Sequence, residues 1–68
     1  MNSSLLKGEI RAKAMTQEDV ARSIGISLSR LNAKINGYGG AEFSLAEIKS
    51  MRALFGLSLE QVDAIFFS

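Results

Sequence analysis

Between Leu28 and Tyr38 the chain sets out side chains whose chemistry is hydrogen bonding rather than catalysis. Asn32 carries a donor and an acceptor in one plane, the pattern that fits the edge of adenine. Ser29 pairs with several bases, and Leu28 and Ala33 offer apolar contact of the kind a thymine methyl accepts. Arg30 suits a guanine edge or a phosphate, and its place just off the centre of this face leans toward phosphate. The rest of the chain carries no catalytic constellation. There is no His and no Cys. The commonest general base, the commonest metal ligand and the thiolate nucleophile are therefore all missing. The seven acids are scattered. Gly37-Tyr38-Gly39-Gly40 is too short for a phosphate-cradling loop and lacks the Lys that would follow one. Neither an enzyme, a metal site nor a cofactor is expected.

These residues need a scaffold, and 68 residues allow one small domain. A chain of this size buries only about 60% of its unfolded surface. Without disulfides its stability must come from packing or from a partner. Pro is absent, strand-like alternation is absent, and apolar residues recur at helical spacing. No apolar run approaches the length of a membrane span. The opening Met1-Asn2-Ser3-Ser4 lacks the features of a signal peptide, so a soluble cytoplasmic protein is expected.

One local pattern occurs four times. A hydrophobic residue precedes Ser or Thr, and another follows four positions after it. The sets are Met15-Thr16 with Val20, Ile26-Ser27 with Leu31, Phe43-Ser44 with Ile48, and Leu57-Ser58 with Val62. This is a helix N-cap with its hydrophobic staple. Ser44 with Glu47 and Ser58 with Gln61 also fit the capping box, and Thr16 with Asp19 nearly does. Gly25, Gly37 and Gly56 follow apolar-periodic stretches, where a left-handed residue ends a helix. Five helices are expected, at about 4–14, 17–24, 28–36, 45–55 and 59–66. Gly8 lies inside the first, where it costs about 1 kcal/mol relative to Ala and would allow close approach of another helix. Residues 37–43 form the one long, flexible connection. Phe43, Ile48, Met51, Leu54, Phe55 and Leu57 read as core.

The second and third helices are joined by Gly25-Ile26-Ser27 alone. So short a link favours a steep crossing, the geometry of a helix-turn-helix. Ala21 is small where the helices would cross, and Val20, Ile24, Ile26, Leu31 and Ile35 supply the seam.

At this point a resemblance enters. Thr16-Gln17 at the opening, Ala21, Gly25, Leu31 and the closing Asn36-Gly37 resemble the Xre or Cro/CI family of phage and bacterial repressors. Phe43 to Ile48 and the terminal Phe66-Phe67 are similar to small phage-encoded Cro-like proteins of that group. The resemblance covers nearly the whole chain. It implies an all-α, five-helix lambda-repressor-like domain in which helix 28–36 enters the major groove of an operator and represses transcription. It also implies a bacterial host or a prophage as the source. Two features depart from the family. Lys34 stands where those repressors carry an apolar residue, and the loop after Gly37 holds no cation.

Under that resemblance Leu28, Ser29, Asn32 and Ala33 face bases. Thr16 and Gln17 meet phosphate at the start of the second helix, and Asn36 and Gly37 offer a second backbone-amide site. Arg30 and Lys34 contact phosphate, as do Arg11 and Lys13 at longer range. Tyr38 either reaches a phosphate through its hydroxyl or packs under the loop. Charge is distributed to match. Residues 1–36 hold six cations against three acids, and residues 37–68 hold two against four. In the last helix, Leu59, Val62, Phe66 and Phe67 suggest a patch for a partner, of which a second copy is the simplest. Otherwise Phe66 and Phe67 close a thin core. Duplex DNA and a homodimer are thus the expected partners. A second regulator protein, met in an antirepressor-like or antitoxin-like role, is the other reading.

Overall fold

Ser and Thr side chains set where the helices start. In the computed structural model, which describes residues 1–68, the Thr16 hydroxyl accepts the Asp19 N–H and the Asp19 carboxylate accepts the Thr16 N–H. Ser44 with Glu47 and Ser58 with Gln61 form the same reciprocal box. Ser27 caps without one, because its third helical residue is Arg30. The helices α2 (Gln17–Ile24), α3 (Leu28–Asn36), α4 (Leu45–Phe55) and α5 (Leu59–Phe66) begin and end where the caps and glycines place them. There is no strand. A short 3-10 turn, Tyr38–Gly40, occupies part of the connection from α3 to α4.

The first helix, α1, differs from the expectation. It runs Ser3–Ala12, with Asn2 as its cap. Ala14 is not helical: it takes φ +53°, the only non-glycine residue with positive φ. The Met15 N–H then donates to the Ile10 carbonyl, and the Ala14 N–H to that of Arg11. These are the two bonds of a Schellman ending, with Ala where Gly is the usual residue. Gly25 makes the equivalent turn after α2 at φ +77°, with Ile26 N–H bonded to Ala21.

Helix α2 packs on α3 and α4, α1 on α3 and α5, and α4 on α5. Thirteen residues are buried and every one is apolar. Leu6, Val20, Leu31 and Met51 fill the centre, one from each of the first four helices. Ile24, Ile26, Phe43 and Leu54 pack on that centre while staying partly exposed. The radius of gyration is 10.7 Å, close to the value of about 11 Å typical of a compact chain this long. No helix is long and apolar enough to cross a membrane.

Gly8 does not serve a close approach: a Cβ built there meets nothing within 4 Å. Its flexibility is therefore a cost without a packing return. Gly8→Ala should stabilise the fold by about 0.5–1 kcal/mol. Ala14→Gly should add roughly as much by relieving the left-handed Cβ clash. Both appear as a rise of a few degrees in thermal midpoint. A fall in either would mean that the α1 backbone is not as described.

Candidate functional site

Helix α3 is anchored by its inner face. Leu31 and Ile35 are buried, and Ser27 fixes its first turn. The opposite face is consequently presented to solvent at a fixed orientation. Ser29, Arg30 and Asn32 are exposed, Ala33 is half-buried beside them, and Leu28 remains 44% exposed rather than folding back on α2. These residues therefore share one accessible face.

A chain of amides crosses from α2 to α3. The Asn32 Nδ2 donates to Gln17 Oε1 at 3.5 Å, a long bond, while Asn36 Nδ2 donates to both the carbonyl and the Oδ1 of Asn32 at 3.0 Å. Asn32 is thereby oriented from both sides. Gln17 Nε2 and Asn36 Oδ1 make no hydrogen bond within the protein.

The start of α2 is already occupied by its own anion. Asp19 caps it, and the Thr16 backbone N–H, with the Thr16 hydroxyl, holds the Asp19 carboxyl below the usual carboxylate range. Arg22 bridges Glu18 and Asp19 at 3.5 and 3.4 Å. Thr16 can therefore offer only its hydroxyl hydrogen to a ligand.

Three expectations need correction, and one of the two alternatives for Tyr38 is closed. Lys34 is not free for phosphate. Its Nζ lies 2.7 and 2.8 Å from the two carboxylate oxygens of Glu47, with side chains only 12% and 13% exposed. It also sits 6.0 Å from the Phe43 ring centroid. The stem thus covers apolar surface, which is how a Lys occupies a place otherwise suited to an apolar residue. Gly37 offers no free amide, because its N–H donates to the Ala33 carbonyl and ends α3. Tyr38 does not pack under the loop; it is 73% exposed. Val62 and Phe66 belong to the core rather than to a surface patch, and Phe66 meets Phe43 edge-on at 5.9 Å. Leu59 and Phe67 do stay exposed.

Phe67 lies on the rim of a groove of about 590 Å³ between the end of α3, the 37–43 connection and the end of α5. Ile48, Phe43 and Phe66 contribute apolar surface to it, and Met1 and Glu42 also line it.

Sequence reasoning missed two residues. Glu47 was legible as a cap but not as the partner of Lys34, which lies 13 positions away. Lys7 was passed over, although it stands one helical turn before Arg11. Lys7, Arg11 and Gln17 line a common depression floored by Ile10 and Met15. Neither Lys7 nor Arg11 has an ion-pair partner, and the same is true of Arg30 and Lys13. Compared with protein-family models, curated proteins and solved structures, the chain matches none of them.

The Lys34–Glu47 pair has a measurable consequence. Burial pushes the Glu47 carboxyl up, but hydrogen bonds from Lys34 and Ser44 and the Lys34 charge together outweigh it and leave it below its ordinary value. A carboxyl depressed in the folded state stabilises above its unfolded pKa and loses that contribution as pH falls. Stability should therefore decline below about pH 4.3, the ordinary Glu value. Lys34→Met leaves Glu47 buried without its cation. It should cost about 2–4 kcal/mol at neutral pH and shrink or reverse the acid decline, because protonation then relieves the buried, unpaired carboxylate. Adding Glu47→Gln, which keeps an acceptor for the Ser44 N–H, should recover most of the loss. Urea titrations from pH 2 to 7 measure all three; an additive double variant would mean that the pair is not coupled.

Proposed function

We propose that the chain is a sequence-specific DNA-binding transcriptional regulator, a Cro-like repressor that places α3 in the major groove of an operator. The observation that carries this reading is the pair α2–α3. A three-residue turn joins them, Leu31 and Ile35 hold α3 from behind, and Leu28, Ser29 and Asn32 stand outward near its start. In a recognition helix the N-terminal residues meet base edges. Asn32 then reads adenine, Ser29 a neighbouring base, and Leu28 or Ala33 a thymine methyl. Gln17 and Arg30 set the register on the phosphates. This reading takes the α2–α3 pair as the helix-turn-helix of a lambda-repressor-like domain, in keeping with the Xre or Cro/CI resemblance of residues 16–37.

Two copies fit this role better than one. A monomer has few uncommitted cations near α3. Pairing two would present two helices to half-sites about one turn of DNA apart. Phe67 and Leu59 are the exposed apolar residues of α5 that such pairing would cover.

A second reading draws on the groove beside Phe67. A regulator that docks on another protein, as an antirepressor or antitoxin does, would use this apolar surface and leave α3 idle. Salt separates the two readings. DNA binding as the primary role weakens steeply as salt rises, whereas burial of an apolar groove does not.

The direct test is footprinting on the DNA beside the chain's own gene at two salt concentrations. Protection at low salt that fades at high salt is the expected result, and no protection at low salt ends the repressor reading. Asn32→Ala should then cost about 1–3 kcal/mol at one base position and relax the preference there. Circular dichroism should be unchanged. A variant that keeps full base preference at every position would show that the reading face is elsewhere.

A further inference from the structure

Two outward helix faces carry charge that the protein itself leaves unanswered. On α4, Lys49 and Arg52 follow Leu45 at four and seven positions, so the three form one stripe. All three are exposed, and neither cation has an acidic partner. Arg52 Nε donates to the Leu57 carbonyl at 3.1 Å. That bond holds the guanidinium plane and leaves its two Nη groups as a fork suited to a carboxylate. On α5, Leu59, Glu60 and Asp63 share a face that Phe67 continues. These four are exposed as well, and neither acid has a cationic partner. Leu45 and Leu59 are each 69% exposed, more than any other leucine.

Each face lacks what the other supplies. The α4 stripe calls for carboxylates beside apolar surface, and the α5 face calls for cations beside apolar surface. Setting α5 against α5 would bring Glu60 and Asp63 up to their own copies, and like charges across a contact are costly. Setting α4 against α4 would do the same with Lys49 and Arg52. A nucleic-acid backbone would answer the two cations but leave Leu45 and the whole α5 face uncovered.

We infer that the α4 face of one copy docks on the α5 face of the next. Lys49 and Arg52 meet Glu60 and Asp63, and Leu45 meets Leu59 and Phe67. The contact joins unlike surfaces, so it is heterologous: copies associate head to tail and are not related by a two-fold axis. It does not rest on the DNA-binding reading. Under that reading, however, copies in one orientation present α3 alike. Their half-sites then run as a direct repeat instead of an inverted pair.

Sedimentation velocity over a range of protein and salt concentrations tests the contact without DNA. Wild type should associate beyond a dimer as its concentration rises, and added salt should weaken this. Lys49→Glu/Arg52→Glu and Glu60→Lys/Asp63→Lys should each weaken association by about tenfold or more. Mixed in equal amounts they should recover it, because each then meets the opposite charge on both faces. Thermal melts check that the variants fold. Lys49→Glu alone leaves Arg52 on the Leu57 carbonyl, so it should weaken association even if the double variant is unstable. Folded variants that fail to recover association on mixing overturn the contact. So does a wild type that stays monomeric or stops at a closed dimer.

A second arm uses fluorescence anisotropy on duplexes carrying the footprinted half-site as a direct or an inverted repeat. Cooperative binding to the direct repeat, lost in either charge variant and restored in their mixture, is the expected result. A preference for the inverted repeat overturns the head-to-tail arrangement. An α4 variant that associates like wild type but binds DNA weakly would assign Lys49 and Arg52 to phosphate and overturn it too. A wild type that associates head to tail yet binds neither duplex leaves the contact standing and ends the DNA reading.

Discussion

Helices of eight to eleven residues do not persist alone in water, because nucleation is costly and few bonds repay it. Every helix here falls within that range. Each therefore depends on two supports at once: a cap that satisfies its first amides, and an apolar face that another helix covers. The first support is local and is met at all five starts, by Asn2, Thr16, Ser27, Ser44 and Ser58. The second is collective. No helix can bury its face until its neighbours have formed, so the thirteen core residues bind the five elements into one cooperative unit. The absence of any buried polar group in that core means that nothing inside it has to be matched by a partner. The polar work is pushed to the edges.

The most consequential edge is where α3 meets α4. Glu47 accepts the Ser44 N–H at 2.8 Å and holds the Lys34 ammonium at the same time. One carboxylate thus ends the connection, starts α4 and fixes the far half of α3. Leu31 and Ile35 hold α3 against the core by apolar contact, which is not directional. The charged contact at Lys34 is directional. On the outward face, Asn32 hydrogen-bonds Asn36 at 3.0 Å and reaches Gln17 at 3.5 Å.

What could be read in the sequence follows the range of the interactions. Caps, staples and left-handed exits act within six residues, and their residue types are narrow. The bounds of α2, α3, α4 and α5 were therefore legible, as were Leu31 and Ile35 as anchors. The end of α1 was not. Ala14 continues the apolar spacing of Leu6 and Ile10, and nothing in an alanine announces positive φ. Lys34 was misread for the opposite reason. A Lys on a helix normally points to solvent, and its partner Glu47 belongs to another element. Val62 and Phe66 were offered as surface because α5 carries more apolar residues than a thin core needs. Only the fold shows that Phe43 reaches Phe66 and takes it inward, while Phe67, next in the chain, turns out.

These placements narrow how the proposed DNA contact can work. Two of the cations on the basic side are neutralised within the protein, and the first turn of α2 carries Glu18 and Asp19 close to where a phosphate would lie. Arg22 offsets one of these two negative charges, so local charge there is left negative rather than positive. Attraction to a polyanion must then come from Arg30 on one side and from α1 on the other, with Gln17 between them. Each neutralised phosphate contributes only through release of its counterions, so a single copy with three or four such contacts would bind any sequence weakly. Discrimination requires more contacts of the same kind in a fixed relation. The exposed Phe67 and the groove beside it lie at the end of α5, which packs mainly on α1 and α4. Covering that end with a second copy would join two α3 helices through a surface that also borders the end of α3.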